Sequence, residues 1–178
     1  MTSSNETEFD PARGEVIQSM VGSYLEGGHD GRGLLIAIVA GRFNGGVTTR
    51  LIDGALAALE EAGVARMDMT VAWVPGAYEI PMMALAFADG PLPVDAVITL
   101  GAVIRSDTGH YDIVAGESAR GVQDVQLTTG VPVVFGVLTT NTVEQALERS
   151  LPDETNKGRE SAFTALEMVS LLRQRSGR

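Results

Sequence analysis

Residues 95–114 have the sequence DAVITLGAVIRSDTGHYDIV, and this stretch decides the fold. The apolar run from Ala96 to Ile104 predicts a buried strand, and the polar turn from Arg105 to Gly109 leads to a predicted helix that begins at His110. Open α/β sheets bind ligands outside the carboxyl ends of their strands, near helix N-termini. These residues alone leave two interpretations open. One is a binding turn with a histidine that titrates near neutral pH, and the other is a helix-capping turn followed by a surface histidine.

The composition indicates one globular domain and argues against several classes of function. The chain has 178 residues, of which 44% are apolar and 20% are charged, and this suits a single domain with a sizeable core. A net charge of −10 argues against nucleic acid and anionic membranes as partners. The absence of cysteine excludes disulfides, thiolate metal sites and cysteine nucleophiles, and two histidines disfavour a His-rich metal site.

The N-terminal residues 1–33 are predicted to form an acidic, partly mobile extension before a domain at 34–178. Apolar residues recur there at the spacing of a short amphipathic helix: Val16, Ile17, Met20, Val21 and Tyr24. The Gly cluster that follows predicts a linker. The polar start MTSSNETEFD does not resemble a signal peptide, and no apolar run reaches the roughly 18 residues of a membrane span, so a cytoplasmic protein is expected.

Four apolar runs alternate with helical patterns along the rest of the chain. Strands are predicted at 34–40, 69–74, 96–104 and 131–138, and helices at 47–62, 77–88, 110–129, 143–149 and 158–173. This order predicts four buried parallel strands covered by helices on both faces. Nearly every position of the helix at 77–88 is apolar, which predicts a largely buried helix or a subunit interface.

The carboxyl ends of parallel strands share one rim of a sheet, so the polar and aromatic residues that follow the strands are expected to meet there. They are Phe43, Asn44, Ala77, Tyr78, Glu79, Ser106 to His110 and Thr139 to Asn141, with Arg149 and Lys157 approaching from later elements. An aromatic ring with backbone amides suits a planar heterocycle, and an arginine near helix N-terminal amides suits a phosphate. Each residue also has a structural alternative: Phe43 in the core, Glu79 as a helix cap, and Arg149 and Lys157 as solvated charges.

The turn GRFNGG at 41–46 is a further candidate phosphate site, but it matches neither the P-loop nor the dinucleotide-binding pattern. The residues therefore allow a site for a ring compound and a phosphorylated small molecule. They do not specify the reaction.

Several separate motifs, in order, resemble the 6,7-dimethyl-8-ribityllumazine synthase family over residues 34–172. They are GRFN at 41–44, VPGAYEIP at 74–81, GAVIR at 101–105, TGHYD at 108–112, GVPVVFGVLTT at 130–140, EQALER at 144–149 and NKG at 156–158. The resemblance implies a flavodoxin-like three-layer α/β/α sandwich with a four-stranded parallel sheet. It also implies a transferase of riboflavin biosynthesis that condenses 5-amino-6-(D-ribitylamino)uracil with 3,4-dihydroxy-2-butanone 4-phosphate. No metal or organic cofactor is implied.

The resemblance also implies roles for individual residues. Phe43 would stack on the pyrimidine, Ala77, Tyr78 and Glu79 would hold the ribityl chain, and Ala102, Val103 and Ile104 would bind the ring edge through their backbone. Asp107, Thr108 and Arg149 would bind phosphate, His110 would transfer protons, and Phe135 would complete the pocket of a neighbouring subunit. Asn44, Lys157 and Glu160 are weaker candidates.

The same resemblance implies homopentamers with active sites between subunits, and it leaves open whether pentamers pack into an icosahedral capsid. Ser106 stands where the family commonly has glycine, so a turn that needs a positive φ there would be strained. An alternative from another class is a non-catalytic relative that binds flavin or lumazine or forms a shell. A flavodoxin-like electron carrier is disfavoured because no Ser/Thr-rich phosphate loop follows the first strand.

Overall fold

A computed structural model of the chain describes residues 9–92 and 94–177. In chain order the elements are α1 (Pro11–Met20), β1 (Ile36–Gly41), α2 (Gly45–Glu61), β2 (Met69–Val74), α3 (Ile80–Ala88), β3 (Ala96–Ile104), α4 (His110–Thr129), β4 (Val133–Thr140), α5 (Val143–Glu148) and α6 (Lys157–Ser176), with short 3₁₀ helices at Arg66–Asp68 and Ala77–Glu79. The first eight residues of the predicted extension lie outside the described residues. No helix in the described ranges is long and apolar enough to cross a membrane.

The four strands form one parallel sheet in the order β2-β1-β3-β4. The helices α2 and α6 pack on one face, where residues such as Leu51 and Leu166 meet Ile38. The helices α3 and α4 cover the other face, where Ile80 and Val122 pack against alternate strand residues. Successive side chains of a strand point to opposite faces, so burial of both faces explains the unbroken apolar runs of β1 and β3. The predicted three-layer α/β/α sandwich is confirmed.

The prediction that all four strands are buried is wrong for β2. This strand lies at one edge of the sheet, and Val71 and Trp73 are more than one third exposed. The strand β4 forms the opposite edge, where Phe135 is also exposed. Edge strands have a neighbour on one side only, so an apolar sequence does not by itself bury them.

The helix α3 is less buried in the single chain than its composition predicts. Only Ile80 and Ala84 are buried, and Met82 is 81% exposed. The interpretation of 77–88 as a largely buried helix is therefore wrong within one subunit. Its alternative, a subunit interface, stays a prediction.

The end of β4 also differs from the prediction. Thr139 and Thr140 were expected in a turn, but they are the last two residues of the strand and pair with Val103 and Ile104 of β3. The turn begins at Asn141, and the Thr142 hydroxyl caps α5 by accepting a hydrogen bond from the backbone of Gln145.

The described part of the N-terminal extension forms α1 and then runs along the helical face of the domain. The helix ends at Met20, before the predicted apolar positions 21 and 24. Within the Gly cluster, the Gly28 N–H donates to the Ser170 hydroxyl of α6 (3.0 Å), and the Gly31 N–H donates to the Ala62 carbonyl (2.8 Å). Residues 28–31 are thus attached to the domain. The predicted mobility of the extension stays a prediction.

Candidate active site

The turns after β1 and β2 are joined by backbone hydrogen bonds at the rim of the sheet. The Arg42 N–H donates to the Val74 carbonyl (2.9 Å), and the Phe43 N–H donates to the Pro75 carbonyl (3.1 Å). Gly76 lies between two candidate residues, because a Cβ added there would be 3.3 Å from the Glu79 carboxylate and 4.0 Å from the Phe43 Cβ. The structure therefore brings Phe43 and Glu79 to the same place.

Asn44 connects this corner to the end of β3. It has a φ of 58°, in the left-handed region, and it precedes the first residue of α2. This backbone conformation is uncommon outside glycine, and asparagine tolerates it better than most residues. The side-chain amide donates to the Ala102 carbonyl at 2.8 Å. Asn44 thus links the Phe43 turn to the strand end that carries Ala102 and its neighbours.

The structural alternative for Phe43 is wrong, and the one for Glu79 has no hydrogen bond to support it. Phe43 is 74% exposed, so it does not belong to the core of the single chain. Glu79 occupies the position before α3, but its carboxylate makes no capping hydrogen bond. Tyr78 beside it is also exposed, whereas Ala77 is buried. An open aromatic face and a carboxylate without a capping hydrogen bond are therefore available at the rim.

The turn after β3 is open to solvent and leads directly into α4. Ser106, Asp107, Thr108 and His110 are all exposed. The 20-residue helix begins at His110, so its N-terminal amides and the positive end of its dipole lie next to the turn. This arrangement favours an anion. Among residues 9–92 and 94–177, Asn44 alone is a non-glycine residue with positive φ, so the strain expected at Ser106 does not occur.

Arg105 holds both ends of this turn, and the sequence assigned it no role. Its guanidinium donates to both carboxylate oxygens of Asp112 (3.0 and 3.4 Å) and to the side-chain oxygen of Asn141 (3.2 Å). It also lies over the Tyr111 ring, 4.0 Å from the ring centroid. The hydrogen bond to Asp112 raises the pKa of Arg105. The partners are seven and 36 residues away in sequence, so no local pattern marks them.

A second set of candidates lies along the open edge of β4. Phe135 and Glu160 line a cavity of about 430 Å³ between α4, β4 and α6. The Lys157 ammonium pairs with the Glu160 carboxylate, and the Lys157 N–H donates to the Arg149 carbonyl (2.9 Å). Phe135 pairs with Thr99 of β3 and lies five residues before the end of β4 at Thr140, which places it about 17 Å from the rim along the strand. Within one chain, Phe135 and Glu160 are therefore separate from the rim set.

A family model described as 6,7-dimethyl-8-ribityllumazine synthase matches residues 33–173. The chain belongs to the 6,7-dimethyl-8-ribityllumazine synthase family. It is therefore a transferase with a role in riboflavin biosynthesis. The match spans the whole sheet and both sets of candidate residues, and it begins after α1. This confirms the family inferred from the motifs.

In this lumazine synthase family member, a buried residue of the NKG motif, to which the sequence assigned no role, holds the start of α6. Asn156 is 1% exposed, and it caps α6 by accepting from the Gly158 and Arg159 N–H groups. Its amide donates to the carbonyls of Leu151 (2.8 Å) and Arg50 (3.2 Å). Asn156 thus holds the start of α6, where Lys157 lies. An Asn before a helix predicts a helix cap, but the hydrogen bond from its amide to the Arg50 carbonyl depends on the packing of α2.

The two candidate cations of this lumazine synthase family member, Arg149 and Lys157, have carboxylate or carbonyl partners. Arg149 donates to the Gln145 carbonyl (3.0 Å) and lies 3.8 Å from the Glu148 carboxylate. In the described ranges, no three His, Asp or Glu side chains are arranged to hold a metal ion. The expectation of a metal-free site stays a prediction. The arrangement offers an aromatic surface, a carboxylate, an imidazole and a helix N-terminus at one rim.

Proposed function

We propose that this chain condenses 5-amino-6-(D-ribitylamino)uracil with 3,4-dihydroxy-2-butanone 4-phosphate to give 6,7-dimethyl-8-ribityllumazine, phosphate and water. The observation that carries the proposal is the rim, where Phe43, Glu79 and the His110 turn follow β1, β2 and β3 in a member of this family. A protein that only builds a shell has no need of these three groups at the rim of the sheet.

The aminouracil would bind on the Phe43 side of the rim. The exposed ring of Phe43 offers a face for stacking on the pyrimidine. The ribityl hydroxyls would bind at Ala77, Tyr78 and Glu79, where the carboxylate accepts hydrogen bonds. The backbone groups of residues 102–104 would bind the edge of the ring, and Asn44 keeps that strand end against the Phe43 turn.

The phosphate of the second substrate would bind at the start of α4. The backbone amides and the Thr108 hydroxyl would donate to it, and the helix dipole favours its charge. The Asp107 side chain is exposed and would point to solvent, away from the anion. Arg149 would supply the cation, because a guanidinium suits phosphate recognition.

The chemistry that follows needs proton transfers and orientation. The free amine of the uracil attacks the ketone, and water leaves to form an imine. The carbon next to the imine loses a proton as the C–O bond to phosphate breaks, and the resulting enol tautomerises to a ketone. The second amine attacks this ketone, and loss of a second water closes the ring. His110 would accept and return protons in these steps. The amine is already a good nucleophile, so holding the two substrates together would supply much of the rate.

The two edges of the sheet support an assembly with sites between subunits. One edge exposes Trp73 of β2 and Met82 of α3, and the other exposes Phe135 of β4 beside its cavity. Two different apolar surfaces on opposite edges suit a head-to-tail ring. In a pentamer, Phe135 and Glu160 of one subunit would close the open rim of the next. Whether pentamers form a capsid depends on contacts beyond one ring.

The direct test is an assay with both substrates that follows the absorbance of the lumazine product. The wild-type protein is expected to form product, and Phe43→Ala is expected to raise the KM for the aminouracil by about tenfold because the stacking surface is lost. Met67→Ala removes another exposed side chain far from the rim and serves as the control. A folded wild-type protein that forms no product would overturn the proposed reaction and favour a flavin- or lumazine-binding relative.

Light scattering tests the assembly separately. Five copies of the 18.7 kDa chain make a particle of about 94 kDa. A charge at Trp73, as in Trp73→Glu, is expected to dissociate it. A monomer at micromolar concentration would contradict the shared site.

A further inference from the structure

The turn that would bind phosphate is held by few contacts of its own. In the described part of the chain, no side-chain hydrogen bond reaches residues 106–109, and the side-chain bonds that span the turn are those of Arg105. A turn without internal bonds must be ordered when a ligand binds, and that ordering lowers affinity. Whatever fixes the two ends of the turn therefore bears on binding.

Arg105 fixes both ends at once. Its backbone N–H continues the sheet by donating to the Thr140 carbonyl (2.9 Å). Its side chain then crosses the turn to the Asp112 carboxylate in the first turn of α4, two residues after His110. The Tyr111 ring supports the guanidinium plane from one side at 4.0 Å. The strand end and the helix start are thus joined by one side chain.

The same guanidinium also orients the element that carries Arg149. Its Nε donates to Asn141 at 3.2 Å, and the Asn141 N–H donates to the Gln145 side chain at 2.9 Å. The Arg149 guanidinium donates to the Gln145 carbonyl at 3.0 Å. A continuous series of hydrogen bonds therefore runs from the His110 turn to α5 and Arg149.

We propose that Arg105 is a positioning residue that holds the 106–109 turn and His110 in the geometry that binds phosphate, and this rests on the proposed function. A lysine cannot replace it, because the geometry uses donors on three guanidinium nitrogens and a flat surface over an aromatic ring. The Arg105 side chain is about half exposed, and exposed ion pairs contribute little to stability. Its removal is therefore expected to change binding more than folding.

The test measures the dissociation constant of inorganic phosphate by titration calorimetry at fixed ionic strength. Arg105→Ala and Arg105→Lys are each expected to raise it about tenfold, with the melting temperature nearly unchanged. Arg120→Ala is the matched control, because Arg120 also pairs with carboxylates on α4 but does not span the turn. The Arg120→Ala variant is expected to bind phosphate with the wild-type dissociation constant. In the assay with both substrates, Arg105→Lys should raise the KM for the phosphorylated ketone and leave that for the aminouracil unchanged.

Asp112→Ala separates positioning from charge. Removal of a carboxylate near the turn would tighten phosphate binding if Arg105 acted through its charge alone. Positioning requires the opposite, a dissociation constant about tenfold higher, because the turn loses its attachment to α4. Wild-type affinity in Arg105→Lys, tighter binding in Asp112→Ala, or no phosphate binding by the wild type would overturn the inference.

The two proposals fail in different ways. A wild-type protein that forms no lumazine, yet binds phosphate in a manner that depends on Arg105 and Asp112, would overturn the proposed reaction and leave the positioning role standing. An active enzyme whose phosphate affinity is unaffected by these substitutions would overturn the positioning role and leave the proposed reaction standing.

Discussion

Replacement of Asn156 by alanine is expected to destabilise the protein by about 3 kcal/mol. The side chain is buried and makes four hydrogen bonds, two as the cap of α6 and two to carbonyls of the preceding loop and of α2. Loss of an Asn cap costs about 1 kcal/mol. Each of the two remaining bonds is partly buried, and its loss adds about 1 kcal/mol.

The variant Asn156→Ser separates these contributions. A serine hydroxyl still caps the helix but is too short to reach the two carbonyls, so a loss of about 2 kcal/mol is expected. Urea unfolding followed by circular dichroism gives the free energies of unfolding, with all proteins at one concentration because association shifts apparent stability. A cost below about 1 kcal/mol for the alanine variant, or wild-type stability for the serine variant, would refute the assigned bonds.

Gly54 provides a second test of the same geometry. A Cβ at this position of α2 would lie 2.3 Å from the side-chain oxygen of Asn156, so Gly54→Ala should destabilise the wild type despite the better helix propensity of alanine. In the Asn156→Ala background the contact is gone, and the same change should be neutral or stabilising. The coupling energy of the double-mutant cycle should then exceed about 1 kcal/mol. Additive effects would show that the two residues do not touch.

Three further outcomes follow from the structure. His110→Ala should lower kcat by about a hundredfold and leave measurable turnover, since orientation of the substrates remains; complete loss of turnover with intact fold and binding would contradict this. Gly158→Ala should destabilise α6 by about 3 kcal/mol in thermal unfolding, because the added Cβ would meet a backbone oxygen of α2. Gly46→Ala, at the matching position of α2, is the control and should be tolerated, because its Cβ meets nothing within 4 Å. The hydrogen bonds from Arg32 lower the pKa of Asp30 to about 2, so the stability that this carboxylate contributes is present above its unfolded pKa and is lost as the pH falls through the folded one. The difference in melting temperature between wild type and Asp30→Asn should therefore shrink between about pH 4 and pH 2, and a constant difference over that range would contradict the pairing.

Elements with strong local signals were predicted well. The bounds of β2, β3 and α4 match the expected residues 69–74, 96–104 and 110–129. Pro75-Gly76 ends β2, and Gly130, with a φ of 73°, ends α4. The bounds of β4 were shifted by two residues, because its final threonines suit a turn as well as a strand and pairing with β3 decided between them.

The candidate site was predicted less completely. The rim residues follow from the alternation of strands and helices, since that alternation places all strand ends on one side. The roles of Arg105 and Asn156 could not be predicted in the same way. Their partners come from other elements, and a charged or amide residue in a loop is more often simply solvated.

The sequence by itself determined the alternation of strands and helices, the three-layer fold and the family, because hydrophobic periodicity, chain breakers and ordered motifs are local properties of the chain. Only the tertiary structure decided which strands lie at the edges, that Phe43 is exposed, and that Phe135 and Glu160 lie on a different surface from His110. Strand order depends on how crossovers place segments distant in sequence side by side, and burial depends on what finally covers each side chain. The 95–114 stretch contains both kinds of information. Its strand and helix are predicted from the sequence, but Arg105, the side chain that joins them, gains its hydrogen-bond partners only in the folded chain.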